Sequence, residues 1–598
     1  MTPVDPAEHL TTGLWRRGTG ADADQVILRV LGPAGFATVT WGDLARRVRD
    51  VAAGLIASGV DRGDRVALMS STRLEWTIAD LAILAAGAIS VPLYPSASLD
   101  QCRWILEDSG AVLAIVETPA NAERVRDAAN ALSVPPRECL VIEQHGLDDL
   151  VARGAGFAGE VCRQVDTLRA RDVATIAYTS GTTGTPKGCT LTHYNLLWTA
   201  RQTDAHLPGL FGPHASTLLV LPLAHIFARI IQFGCLETGM VLDYARSFDT
   251  LPDDLTLSRP TLLLGVPRVF EKLLVAARAH ATGLRRPIMD HALRVALTWS
   301  SADRRGPVLA FQHACADWIV YRKLRAALGG RVSYCISGGG ALDPSVAHVL
   351  RGAGITILEG YGLTETSAPV TLNAPSANQI GTVGRPLPGV DIRVAPGGEV
   401  LVRGANVFRG YWHDDDATRA AFDAEGWFHT GDLGMLDADG YLRLTGRKKE
   451  LIVTAYGKNV APGPLEDRIR HLPIVADAMV VGDGRPFVSA LVTLDADALA
   501  RFAAAHGLAG RSAADLIDEP TVRAAVQDAI ASANQTVSPV ESIRRFRILP
   551  RGFSEDADEL TPTLKLKRGV IAAHFRTEID ALYDDHQSDL DDVLRDGR

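Results

Sequence analysis

The stretch "YTSGTTGTPKGC", Tyr178 to Cys189, crowds glycines, hydroxyls and one lysine into a single loop. Gly181 and Gly184 let backbone N–H groups come close to a ligand, and Thr179, Ser180, Thr182 and Thr183 carry hydroxyl donors. Lys187 adds a compact positive charge. This is the chemistry of a phosphate cradle. The common nucleoside-triphosphate loop places its lysine after glycine and before Ser or Thr, whereas Lys187 lies between Pro186 and Gly188. The loop therefore holds phosphate by another arrangement.

Other short stretches carry compatible chemistry. "SGGGAL" contributes Gly338, Gly339 and Gly340, where backbone can approach a flat ligand. "EGYGLTET" sets Tyr361 between Gly360 and Gly362, so that a ring can stack on a base; Thr364 and Glu365 follow with oxygens. "HTGDLG" offers Asp432, one carboxylate able to accept from two ribose hydroxyls, although the same pattern also makes a tight turn. His225 in "LPLAHIF" and the lysines of "GRKKE" and "LTPTLKLKRGV" complete the set. Lysine is scarce: the chain has 61 basic residues, and lysine occupies only 187, 272, 323, 448, 449, 458, 565 and 567. Five of these fall in two short stretches near the C-terminus.

The elements that must position these groups alternate. "WGDLARRVRDVAAGLIASG" reads as an amphipathic helix, "DRVALM" as a strand, "TIADLAILAAGA" as a helix and "ISVPLY" as a strand, and the pattern repeats to "CLVIE". "STLLVLPLAH", "TLLLGV", "VSYCISGGG" and "ITILEGYG" read as buried strands ending in polar or Gly-rich turns. Such alternation predicts an α/β protein with doubly wound parallel sheets and ligands beyond the strands' carboxyl ends. From about Gly381 to residue 446, short strands with polar turns predict a β-rich subdomain. Strands and helices mix from Lys449 onward as a small α+β domain, so the expected division is 1–448 and 449–598.

Composition bounds the function. A chain of 598 residues with 47% hydrophobic side chains builds substantial cores. A net charge of −9 argues against a nucleic-acid binder. Seven cysteines without CxxC spacing suggest neither a disulfide framework nor a zinc site. With no signal-type segment and no long apolar run, the expectation is a cytoplasmic protein without a transmembrane segment; peripheral contact at the inner membrane face and oligomeric state stay open.

Taken in order, "YTSGTTGTPKG", "LPLAHIFAR", "SGGGAL", "EGYGLTET", "HTGDLG" with "GRKKELIVTAYGKNVAP", and "LTPTLKLKRGV" resemble the adenylate-forming superfamily of acyl-CoA synthetases, luciferases and non-ribosomal peptide adenylation domains. The resemblance runs from about Trp41 to Phe575. It implies ATP as substrate, with residues 179–184 and Lys187 around its phosphates. It implies magnesium held by Thr179 and Glu365, adenine near Gly338–Gly340 and Glu359–Gly362, and Thr364 near the α-phosphate. Asp432 and Arg447 would take the ribose, His225 would stand beside the acyl carboxylate, and Lys449 would be the hinge of a mobile C-terminal domain. "YGKNVAP", with Gly457, would line a CoA channel after rotation, and Lys565 would be the catalytic lysine, with Lys567 its rival.

"GVPRVFEKL", "YPSASLDQCRWILEDSGA" and "LTPTLKLKRGVI" most resemble the bacterial long-chain fatty acyl-CoA synthetases. That branch implies a fatty acid, ATP and CoA as substrates and acyl-CoA as product. Two alternatives remain: a fatty acyl-AMP ligase loading a carrier protein, and a non-catalytic nucleotide-binding protein on the same fold. The first usually carries an insertion that is not evident here; the second would need none of Lys187, Glu365, Asp432 and Lys565 together.

Overall fold

The computed structural model describes residues 4–32, 35–179, 185–279, 285–561 and 565–583. Ser180 to Gly184, the middle of the phosphate loop, lie outside the described residues.

The alternating pattern builds a seven-stranded sheet. Its spatial order is Gly410–Tyr411, Lys187–Thr192, Val173–Thr179, Ile89–Leu93, Arg65–Met69, Leu113–Val116 and Cys139–Val141. The last five are parallel; helix Trp41–Ala57 leads into Arg65–Met69, and helices Leu74–Ala85, Leu99–Ser109 and Pro119–Ala129 link the strands that follow, as far as Cys139–Val141. Helix Leu99–Ser109 starts at a Ser98 capping box and stops at Gly110 in the left-handed region, as its flanks dictate. A second sheet aligns Leu262–Gly265, Tyr334–Ser337 and Thr356–Leu363 in parallel, then adds Ala368–Leu372 and Arg385–Pro386 antiparallel. A third places the hairpin Val26–Gly32 and Gly35–Thr40 beside Val241–Tyr244 and Ser216–Leu219.

The β-rich region is a four-stranded antiparallel sheet of Val390–Val394, Glu399–Gly404, Phe428–Leu436 and Leu442–Arg447. Beyond it, Val475–Val481, Val488–Leu494 and Ile543–Ile548 form a small sheet against helices Pro462–Arg470 and Pro520–Asn534, with a hydrophobic core of its own.

Two departures from the sequence reading matter. Strand Thr356–Leu363 runs straight through "EGYGL" rather than ending at its glycines, and pairs with Ala368–Leu372. The glycines serve that close pairing: a Cβ at Gly362 would stand 1.8 Å from the Ala368 carbonyl oxygen. "STLLVLPLAH" is a strand only as far as Leu219, and His225 caps the helix that follows.

One buried ion pair fastens this helix, Ile226–Thr238, to the large sheet. The Arg229 guanidinium binds the Asp80 carboxylate through Nε at 3.2 Å and through Nη2, and Nη1 donates to Thr175 Oγ1 at 2.6 Å. Both side chains are essentially inaccessible. Asp80→Ala leaves a buried guanidinium without its counter-charge, an expected loss of about 3–5 kcal/mol. Denaturant unfolding checks this: the midpoint should fall with little change in slope.

Candidate active site

The carboxyl ends of the strands, the β-rich sheet and the C-terminal domain enclose a cavity of about 720 Å³. Strand Val173–Thr179 brings Thr179 to its wall, and the return strand places Lys187 directly opposite Thr179. The Lys187 ammonium stands 3.6 Å from Asp414 Oδ2 and 5.0 Å from the centre of the Tyr411 ring. Tyr411 in turn donates its hydroxyl to Glu365 Oε1 at 3.0 Å. Sequence reasoning missed Tyr411; its "RGYW" context gives no signal of its own, because the residue reaches the cavity only through pairing of Gly410–Tyr411 with Thr190 and Cys189.

Glu365 and Thr364 follow strand Thr356–Leu363 into the cavity in a short 3-10 turn. Burial pushes the Glu365 carboxyl above its usual range, against the Tyr411 hydroxyl and more distant Arg447, which favour its ionised form. A desolvated carboxylate with no directly paired cation among the described residues, lining the same cavity as Thr179, suits a small hard cation that keeps several waters and phosphate oxygens.

Tyr361 and Asp432 meet below the same wall. The Tyr361 hydroxyl donates to Asp432 Oδ2 at 2.6 Å, and Arg447 Nε donates to Asp432 Oδ1 at 2.7 Å. The hairpin register sets Asp432 and Arg447 opposite each other, so the pair is built by the sheet rather than by a turn. Asp432 is nearly buried, while Gly431, Thr430 and Arg447 line the cavity in front of it.

His225 caps helix Ile226–Thr238, and its Nδ1 accepts from the Phe227 amide at 3.1 Å. Burial, and then the Lys565 charge, push the imidazole down to about 3. A neutral ring accepting at Nδ1 carries its proton on Nε2, so it is a hydrogen-bond donor. His225 thereby joins the cavity as a neutral donor.

Lys565 enters from the C-terminal domain. Its amide donates to Thr561 Oγ1 at 3.0 Å and its carbonyl accepts from the Thr561 amide at 2.8 Å, closing a short loop. Buried Glu559 anchors the base, gripped by Arg551 at 2.6 and 2.7 Å and by His574 at 3.0 Å. The side chain stands open to the cavity yet walled in by protein. That desolvation, reinforced by Arg447, lowers the amine's pKa, with Asp432 and Glu450 opposing. Lys567 also touches the cavity, but its ammonium is paired with Asp558. Of these two lysines, Lys565 is the one without an ion pair among the described residues.

Gly338, Gly339, Gly360, Gly362 and Lys449 line the cavity as well; Gly340, Glu359 and Gly457 do not. Glu359 turns into the core, where backbone hydrogen bonds from Leu342 and Gly381 partly offset the burial that pushes it up to about 7. Gly457 makes the turn of the ribbon Ile452–Val453 and Asn459–Val460, with its neighbour Tyr456 exposed and Lys458 paired with Glu541 at 3.4 Å.

An apolar arm leaves the cavity beyond His225. One face of helix Ile226–Thr238 supplies Ile230, Ile231, Gly234 and Thr238; Ala200, Phe211 and Leu264 add apolar lining, with Thr203 and Asp204 the polar residues beside Ala200. At ~1.5 Å per residue this face runs about 18 Å. An extended chain advances ~1.2 Å per bond, so the arm matches about fifteen bonds.

Two family models match the chain: the AMP-binding enzyme family over residues 17–412, and the AMP-binding enzyme C-terminal domain over 449–587. The chain belongs to the AMP-binding enzyme family. It is 46% identical over 572 residues to the long-chain-fatty-acid–CoA ligase FadD15 of Mycobacterium bovis, covering 94% of this chain and 95% of the relative. It is 31% identical to the mouse long-chain-fatty-acid–CoA ligase ACSBG1, covering 90% and 81%. The fold is similar to that of ATP-bound MatB from Rhodopseudomonas palustris, with a TM-score of 0.69 at 23% identity over 95% of this chain and 99% of that one.

Proposed function

We infer that this chain is an AMP-forming long-chain fatty acid–CoA ligase, and that Lys565, His225, Glu365 and Asp432 carry its first half-reaction. The observation that carries the reading is one continuous cavity with phosphate-binding and ribose-binding groups at one end and an apolar arm at the other.

A fatty acid lies with its tail along the Ile226–Thr238 face and its carboxylate at His225, whose Nε2–H donates to it. Asp432 holds the ribose hydroxyls, and Lys187 faces the β- and γ-phosphates. A carboxylate oxygen attacks the α-phosphorus, the bond to the departing pyrophosphate breaks, and acyl-AMP forms. Both reactants are anionic, so Lys565, supplied from the C-terminal domain, offsets charge where the new bond forms. Thr179 and Glu365 would hold a magnesium ion, which when bound screens the phosphate oxygens. In the second half-reaction the CoA sulfur attacks the acyl carbon and AMP leaves.

The relative placement of the two domains here suits only the first half-reaction. Arg268 binds Asp477 across the interface and His471 Nε2 stands 3.0 Å from Asp343 Oδ2, while "YGKNV" faces away from the cavity. Transfer to CoA then needs rotation near Lys449, in the short turn Lys448–Glu450. Lys449→Pro, which fixes φ near −65° and restricts the preceding residue, should leave acyl-AMP formation near normal and cut thioester formation at least tenfold. Single-turnover assays with ATP and palmitate, with and without CoA, test both statements. Equal loss of the two steps would move the pivot elsewhere, and AMP turnover that ignores CoA would reject the ligase reading.

A further inference from the structure

A stretch that contributes nothing to the lining of the active-site cavity carries apolar side chains on both faces. The inner face of helix Pro307–Ala316 and its continuation to Ala327 packs Ala316, Val320, Tyr321 and Leu324 into the core. His313 stacks on Trp299 at 4.1 Å and Tyr321 donates to the Ala292 carbonyl at 2.6 Å, so this face is fully engaged. The outer face presents Val308, Phe311, Cys315, Trp318 and Ile319, with Val308, Phe311 and Trp318 about 70% exposed (69%, 71% and 72%). A π-helical turn at Asp317–Tyr321 widens the helix so that Trp318 and Ile319 both point outward while Val320 and Tyr321 both point inward.

Charge identifies the occupant. Between Arg304 and Arg325 the chain has five basic residues and one acid, Asp317, which Arg325 neutralises at 2.7 Å. Exposed Arg304 and Arg305 stand before the stripe, and exposed Arg322 and Lys323 after it. Arg305 also lines a polar niche with Arg351, His348, Asp303 and Trp299, in which Arg351 has no carboxylate partner among the described residues. A basic rim around an exposed Trp and Phe suits an apolar layer beneath anionic headgroups. The rest of the molecule does not: the whole chain carries −9. We propose that this outer face docks the protein on a bilayer of anionic phospholipids, with Phe311 and Trp318 inserted and Arg304, Arg305, Arg322 and Lys323 on the headgroups.

The test uses the full chain without ATP or fatty acid, so its outcome is independent of the ligase reading. Flotation is measured with vesicles of neutral phosphatidylcholine alone and with one quarter anionic phosphatidylglycerol. Partition should be at least tenfold greater on the anionic vesicles and fall with added salt. It should drop at least tenfold in Phe311→Ser/Trp318→Ser and in Arg305→Glu/Arg322→Glu, while turnover of soluble octanoate stays unchanged in both. In a Cys162→Ser background, an environment-sensitive dye on Cys315 should shift to the blue only with anionic vesicles. Equal partition on both vesicles, or variants that bind like the parent, would overturn the proposal. So would a dimer in solution that Phe311→Ser/Trp318→Ser splits, since a second copy would then cover this face.

Discussion

Lys565→Ala should lower acyl-AMP formation roughly 100- to 1000-fold, the effect of losing one preorganised donor at a developing charge, about 2.7–4 kcal/mol. Thioester formation from supplied acyl-AMP should be nearly unchanged, because that step separates charge at the acyl carbon rather than joining two anions. The structure sharpens the contrast with Lys567, whose ammonium is held by Asp558, while Lys565 faces the cavity without an ion pair among the described residues. Lys567→Ala should therefore keep most adenylation activity. The lowered pKa of Lys565 adds a pH signature. The protonated amine is the useful form, so adenylation in the free enzyme should decline on the alkaline side earlier than an ordinary lysine, near 10.4, would dictate. A reversal, with Lys567→Ala inactive and Lys565→Ala normal, would assign the role to the other lysine.

The second large effect is on substrate size. Gly234 lies on the cavity face of helix Ile226–Thr238, and a Cβ there meets no atom within 4 Å. The empty space beside it belongs to the arm. Gly234→Leu should fill that space and stop the acyl chain about 13 Å beyond His225, at ~1.5 Å per helical residue. Displacing about four methylenes at ~0.8 kcal/mol each removes roughly 3 kcal/mol, so kcat/KM for palmitate should fall on the order of 100-fold. Octanoate, which ends before the block, should keep its rate. Much of the loss should appear in KM, since contacts along the tail are made equally in ground and transition states. Equal losses for both acids would place the acyl chain elsewhere.

How much of this was legible in the sequence depends on the range of the interaction. The alternation from Trp41 to Val141 predicts its helices and strands because three of the four helices start at a side-chain cap and the strands are short apolar runs between them. The glycines of "EGYG" read as a turn because glycine usually marks one; here they admit a neighbouring strand, which only tertiary pairing reveals. The sequence singled out Asp432 and Arg447 one by one, yet their mutual bond arises from a hairpin register, and the Tyr361 hydroxyl reaches Asp432 from another strand. Tyr411 and the Arg229–Asp80 pair left no local trace, being contacts between residues 46 and 149 positions apart. The arm was illegible for a related reason: Ile230, Ile231 and Gly234 look like core until the space beside them is seen.

The account rests on one cavity joining an adenylation site to a long apolar arm. Its most direct test is thioester formation by the native chain with ATP, CoA and, in turn, acetate, octanoate, palmitate and benzoate at equal concentration, following AMP and acyl-CoA together. The account predicts palmitoyl-CoA and AMP in equal amounts, with kcat/KM for palmitate exceeding that for acetate by far more than tenfold. A maximum at acetate or benzoate, or AMP released without matching thioester, would contradict it.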